Sequence, residues 1–328
     1  ITEVPAAQVE RLAVEAATNR PVHVIYGASN YQWYNGDLKG RALALLPVLT
    51  VVLAIVALWY AAAVGLNSRW TQDQAARAGV ELSLGAVVVD TMAQERPVLP
   101  APHQVALGLW DGLFGQAVSS KRSLVYHGWV TLSATLLGFA IGTLLGIALA
   151  VGIVHNRAMD MSVMPWAIAS QTIPILAIAP MIIVVMNSLG LQGLIPKAII
   201  SAYLSFFPVV VGMVKGLRSP DAMQLDLLRT YNARARDVLV KLRLPASLPY
   251  LFASLKVGVA AALVGAIVGE LPTGAVAGLG ARLLSGSYYG QTVQIWAALF
   301  AAALVAAALV TIIGAVERVT LTRMGLVR

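Results

Sequence analysis

Long apolar blocks that carry almost no charge alternate along this chain with short polar connections. Six of these blocks, at 42–66, 129–154, 163–189, 195–217, 251–271 and 293–316, reach the length of about 20 residues that a helix needs to cross a hydrocarbon layer about 30 Å thick. The pattern predicts an all-α integral membrane protein. The third block contains Pro165, Pro174 and Pro180, and the fourth contains Pro208. Each proline removes a backbone donor, so bent or interrupted helices are expected there, tolerated where protein covers them.

The connections divide the rest. Residues 1–41 form a polar arm of mixed charge, with Tyr26, Tyr31, Trp33 and Tyr34 before the first block as an interfacial anchor. Such a start does not resemble a cleavable signal peptide. Residues 67–128 combine Ala-rich helical stretches, a break at Pro97, Pro100 and Pro102, and an amphipathic segment at 105–118 expected to lie along the outer surface. Lys and Arg outside the blocks number fourteen on one side, the side of 1–41, Arg157, 218–250 and 317–328, against six on the other. Positive charge marks the cytoplasmic side. The expected plan is therefore a cytoplasmic arm (1–41), a first transmembrane helix (42–66), a periplasmic connection with an amphipathic helix (67–128), a core transmembrane domain (129–316) with a cytoplasmic loop at 218–250, and a cytoplasmic tail (317–328). Both termini face the cytoplasm in this plan. Lys197, Lys215 and Lys256 fall near block ends, where lysine can snorkel to the interface.

Composition supports this reading and removes others. The chain is 59% hydrophobic and 12% charged, with a mean hydropathy of +0.78. Its net charge of +8 sits mostly in particular loops, as membrane orientation requires, so nucleic acid is not an expected partner. With no cysteine there is no disulfide, thiolate metal site or cysteine nucleophile. His23, His103, His127 and His155 are scattered without metal-ligand spacing. No phosphate-binding G-x-x-x-x-G-K-[ST] loop is present, and no nucleophile, acid–base pair or metal cluster sits within a block, so the chain is expected to be no enzyme.

A few residues within the blocks invite a function. Gly138, Gly142 and Gly146 lie on one helical face and permit close approach of a neighbouring helix, from this chain or from a second copy. Glu270 ends the fifth block and stands out among acidic residues there, so it belongs to a pathway, wets at the outer end, or pairs with a base such as Arg282. Gln171, Thr172, Pro174 and Asn187 in the third block, with Tyr203, Ser205 and Phe206 in the fourth, either line a translocation path with Glu270 or bond between helices.

The loop from Asp226 to Pro245 reads as two short helices joined at Asn232, a residue that tolerates the left-handed turn at a helix end, with Pro245 closing the second helix and Pro249 preceding the next block. Asp226, Leu227, Leu228, Asn232, Leu242, Leu244 and Pro245 fall in register with the cytoplasmic signature of importer permeases, Glu-Ala-Ala, three residues, Gly, nine residues, then Ile-x-Leu-Pro. Asp replaces Glu, two Leu replace two Ala, Asn replaces Gly, and Leu replaces Ile. Together with Gln171 to Pro180, Leu244 to Tyr250, Gly269-Glu270-Leu271 and Gly278-Leu279-Gly280, residues 100–323 resemble the nitrate, sulfonate and taurine branch of the binding-protein-dependent ABC importer permeases.

That resemblance implies the type I importer permease fold, with about six transmembrane helices, in a bacterial inner membrane. It implies that Asp226, Arg229, Tyr231, Asn232, Ala233, Arg234, Arg236, Leu244 and Pro245 couple to an ATPase. It further implies a second permease copy, two ATP-binding subunits that hold ATP and Mg, and a periplasmic substrate-binding protein, all within membrane lipid. The cargo would be a small anion such as nitrate, a sulfonate, taurine or bicarbonate, or a small vitamin precursor. An ion-coupled secondary transporter is the alternative, and it would need acidic or basic groups near the midplane of blocks that are nearly free of charge.

Overall fold

A computed structural model of the chain describes residues 36–272 and 277–325, with side chains from residue 46. The aromatic residues assigned as an anchor in the N-terminal arm lie outside the described residues. The chain divides into two units, 1–61 and 62–328. The first is described as the opening part of helix α1 (Gly36–Ala78), which continues past the expected end at residue 66.

In the second unit, the tail of α1 is tied to the proline-rich connection that follows it. Asn67 is fully buried, its Oδ1 accepting from Val98 N–H at 2.8 Å and its Nδ2 donating to the Leu99 carbonyl at 2.9 Å. After α2 (Leu84–Ala93), the break at Pro97 to Pro102 is thus held in place rather than loose. Helix α3 (Pro102–Trp110) then runs into a π-helical turn at Asp111–Gly115. This shorter helix packs against the last helix, α12 (Thr292–Arg323), and occupies the segment where an amphipathic surface helix was expected.

The core is built from α4 (Leu124–His155), α7 (Leu194–Leu217) and α10 (Leu244–Glu270). Helices α4 and α7 run parallel, with Gly138 against Ser201, Gly142 against Ser205 and Gly146 against Val209. A Cβ at Gly142 would come within 2.1 Å of Ser205 Oγ and 2.8 Å of the Ala202 carbonyl. The glycine face therefore serves packing within this chain, one of the two readings its spacing allowed. Helix α10 runs antiparallel to α7 on the same principle, with Gly265 against the Ser201 backbone and Gly212 against Ser254. Ser201 Oγ donates to the Ala262 carbonyl at 2.8 Å across that seam.

Two parallel helices need a connection that returns the chain to its starting side, and the third apolar block provides it as two helices. These are α5 (Arg157–Ser170) and α6 (Ile175–Ser188), bent by 101° at the break between them. Pro174 heads α6, and proline disfavours helical backbone in the residue before it. Pro165, Pro180 and Pro208 sit inside continuous helices, so of the four only Pro174 interrupts one. Among the described residues five helices are long and apolar enough to span a membrane, and the bent pair makes a sixth.

The 218–250 loop departs from expectation at its end. After α8 (Ala222–Thr230), the short α9 (Ala235–Val238) passes through a π-helical turn at Leu239–Arg243 directly into α10. Neither Pro245 nor Pro249 stops the helix. Pro245 falls in the first turn of α10, where a missing N–H costs least, and the wide turn before it carries Leu244 N–H to the Leu239 carbonyl. Helix α11 (Leu279–Tyr288) and α12 complete the fold.

The lysines do not all snorkel. Lys197 is buried at 7% exposure, Lys256 pairs with Glu317, and only Lys215 is exposed, its Nζ 5.8 Å from the centre of the Tyr250 ring.

Replacing Gly142 by leucine should prevent stable assembly of α4 on α7, since overpacking alone costs about 1–3 kcal/mol and the obstruction includes backbone. Monodispersity and melting temperature in detergent would measure the loss. Alanine at Gly128, where a Cβ meets nothing within 4 Å, should leave both unchanged.

Candidate functional site

The helices gather two sets of polar residues at opposite ends of the core. At one end, Glu270 closes α10 with 0% exposure. Its Oε2 accepts from Gly280 N–H at 2.8 Å, and Thr131 Oγ1 of α4 lies 3.0 and 3.1 Å from the two carboxylate oxygens. Lys197 Nζ of α7 stands 3.6 Å from Oε1 and donates to the Ala277 carbonyl at 3.2 Å. The ion-pair partner of Glu270 is thus Lys197 rather than Arg282.

The same cluster holds the start of α11. Gly278, Leu279 and Gly280 present the first free amides of that helix, which have no partner within the helix itself. They donate respectively to His127 Nδ1 at 2.9 Å, Thr131 Oγ1 at 2.8 Å and Glu270. His127 Nε2 faces the Lys121 carbonyl at 2.9 Å. An amide can only donate and a carbonyl only accept, so the ring is the neutral tautomer protonated at Nε2. Gly278, at φ 129° and ψ 161°, occupies backbone space open essentially to glycine alone, and a Cβ there would strike the Glu270 carboxylate.

At the opposite end lies the 218–250 loop. Asn232 has φ 51°, the left-handed conformation its position required. Asn232 N–H donates to the Arg229 carbonyl at 2.9 Å and Ala233 N–H to the Leu228 carbonyl at 3.0 Å, which together close α8 with a Schellman cap. Asp226 and Arg229 are exposed and pair with each other at 2.8 Å. Tyr231, Asn232, Arg234 and Arg236 are exposed, while Ala233, Leu244 and Pro245 are half-buried. Met223 and Leu227 of α8 and Tyr231 at its C-cap follow one another at four-residue spacing, exposed at 78%, 57% and 76%. Met223 escaped the sequence reading, although the helical spacing of three large apolar groups in a polar loop signals it. Arg243 Nη1 donates to the Leu217 carbonyl at 3.0 Å and Arg218 pairs with Asp160 at 2.8 Å, which bind the loop's base to α7 and α5.

The residues considered for a path fall into separate groups. Gln171, Thr172 and Pro174 are exposed at the break between α5 and α6, and Tyr203 joins them through a hydrogen bond to the Ser170 carbonyl at 2.5 Å. Asn187 is exposed near the far end of α6, about 20 Å further along that helix. Ser205 is fully buried against Gly142, and Phe206 is 8% exposed beside Tyr203. Neither Ser205 nor Glu270 meets open space in this chain.

Replacing Glu270 by glutamine should leave Lys197 charged and buried without its counter-ion and cost about 3–5 kcal/mol, read as a large fall in melting temperature in detergent. Adding Lys197→Met should recover most of that loss.

The family model for the binding-protein-dependent transport system inner membrane component matches residues 142–325. That segment contains the bent α5–α6 pair, the exposed loop and the Glu270 cluster except for its α4 members. A Haemophilus influenzae protein named as a probable ABC transporter permease is 30% identical over 221 residues, 67% of this chain and 85% of the relative. The riboflavin transport system permease protein of Chloroflexus aurantiacus is 33% identical over 221 residues, 67% of this chain and 78% of its own. The formylaminopyrimidine transport permease protein of Halalkalibacterium halodurans is 31% identical over 184 residues, 56% and 68% respectively. An all-helical chain with these spans, matched across its core, belongs to the binding-protein-dependent ABC transport permeases of the inner membrane, in their nitrate, sulfonate and taurine branch.

Proposed function

We propose that the chain is the pore-forming subunit of an ATP-driven importer, which takes a small solute from a periplasmic binding protein and passes it across the inner membrane. The observation that carries this reading is the loop around α8. It is exposed, yet closed by a Schellman cap, braced by Arg218 and Arg243, and fitted with the apolar stripe of Met223, Leu227 and Tyr231 beside the free cations Arg234 and Arg236. A rigid element that keeps large apolar groups in water is built for a partner.

In this reading the partner is an ATP-binding subunit that holds ATP and Mg, with acidic and apolar surface facing the loop, and two such subunits act beneath two permease copies. Closure of the ATPases moves the two loops together and rocks the spans between inward-open and outward-open states. The loop lies in the cytoplasm, with both termini on the same side. The exposed apolar groups of α6, among them Leu176, Met181 and Val184, are available to a second copy or to lipid. Gln171, Thr172, Pro174 and Tyr203 line the path at the helix break, with Asn187 beyond. These groups carry no charge, which favours a solute held by hydrogen bonds and apolar contact. The named cargoes of the riboflavin and formylaminopyrimidine relatives agree with that preference, while small anions of the nitrate, sulfonate, taurine or bicarbonate kind remain within the same solute class. Glu270 and Lys197 make a buried charged pair of the kind an ion-coupled transporter uses, but hydrogen bonds to the start of α11 occupy Glu270.

Reversing both charges, Arg234→Glu with Arg236→Glu, should lower ATP-dependent uptake by about 30-fold or more with the amount of permease in the membrane unchanged. Unaltered uptake would remove the loop from coupling. The mass of the purified complex should correspond to two permease and two ATP-binding chains.

A further inference from the structure

Where α3, α4, α11 and α12 meet, two adjoining hollows have opposite chemistry. The first, of about 640 Å³, presents the guanidinium groups of Arg96, Arg122 and Arg282, with Glu95 and Asp111 as its only acidic lining. Among the described residues no carboxylate lies within 4.0 Å of any of the three arginines. Asp111 instead receives Gln116 Nε2 at 3.3 Å. Arg282 Nε is buried with no hydrogen-bond partner. Burial, and after it the charge of nearby Arg122, pull the Arg282 guanidinium below its ordinary pKa. Positive charge is therefore in excess here, three arginines against two carboxylates, and none of the three is held in an ion pair among the described residues.

The second hollow, of about 280 Å³, is almost wholly apolar. It runs down the cleft between α4 and α12 past Leu124, Gly128, Trp129, Leu132 and Leu304. Leu124 belongs to the walls of both hollows. Arg122 lies just before the first residue of the α4 span, and Leu132 lies about 12 Å along that helix from Leu124. Trp110, Phe114 and Trp129 are 65%, 68% and 67% exposed around this place, as aromatic groups are at a membrane–water boundary. Cationic head space thus opens directly onto an apolar channel that starts at the first turn of the α4 span.

We infer that this double hollow is a binding site for one anionic phospholipid of the surrounding bilayer, its phosphate held by Arg122 and Arg282 and one acyl chain laid along Gly128 between α4 and α12. Charge decides the class of occupant: a zwitterionic lipid brings its own cation to a site already rich in them, whereas a phosphatidylglycerol headgroup neutralises it. The groove decides the source, because a soluble anion would leave the apolar half empty. Gly128 keeps that half open, since nothing stands within 4 Å of the Cβ position.

The site is tested on the detergent-purified transporter by native mass spectrometry, titrating dioleoylphosphatidylglycerol, dioleoylphosphatidylcholine and, separately, glycerol phosphate. The expected result is one tightly retained phosphatidylglycerol per permease chain, with no comparable retention of phosphatidylcholine and no displacement by glycerol phosphate. Arg122→Gln with Arg282→Gln should weaken retention by roughly 30-fold. Gly128→Leu, whose Cβ meets nothing within 4 Å and which leaves every guanidinium in place, should weaken it by about tenfold, the loss expected from displacing a short stretch of acyl chain. Equal retention of the two lipids, displacement by glycerol phosphate, or unchanged retention in either variant would overturn the assignment. So would variants that retain the lipid but lose the substrate-binding protein, because the arginines would then serve protein docking.

Discussion

Helices α4, α7 and α10 approach one another almost to backbone contact, and the rest of the fold is arranged around that approach. In hydrocarbon there is no gain from hiding one apolar side chain against another, so association depends on dispersion contacts and hydrogen bonds at short range. Gly138, Gly142 and Gly146 supply a face without side chains, and Ser201, Ser205 and Val209 of α7 fill it. Ser201 sits at the junction of all three helices, packed by Gly138 and Gly265 and bonded to Ala262. Little slack is left there for sliding or rotation.

A consequence reaches the third apolar block. With α4 and α7 parallel, the chain between them must return across the membrane, and it does so as two helices at 101° rather than as one rod. The non-helical backbone at Ser170–Pro174 survives because local and tertiary bonds occupy it: Gln171 N–H and Thr172 N–H return to α5 carbonyls, and Tyr203 donates to the Ser170 carbonyl. The irregular turn thus keeps uncharged polar side chains exposed between two helices, with its backbone satisfied by protein.

The two ends of the core differ in kind. At the Glu270 end, a carboxylate, a threonine and a neutral histidine fix the first amides of α11, and a lysine from a third helix neutralises the carboxylate. At the other end, the α8 loop is rigid internally but leaves its apolar and cationic groups unspent. One end is locked by internal satisfaction, and the other keeps its large apolar and cationic groups exposed.

The sequence by itself determined the spans, the glycine face and the turn at Asn232, because these rest on hydrophobic length, on spacing along one helix and on the backbone tolerance of single residues. It also contained the exposed loop and its basic character. Tertiary structure decided the rest. Pro174 breaks its helix whereas Pro165, Pro180, Pro208 and Pro249 do not, since every proline weakens a helix locally and packing chooses where the chain turns. Glu270 pairs with Lys197 rather than Arg282, and His127 and Thr131 join it across about 150 residues of chain, a distance at which spacing carries no signal. Lys197 could not be told from a snorkelling lysine by its own neighbours. A buried charge is placed by whatever the fold brings to meet it, and only the assembled helices specify that partner.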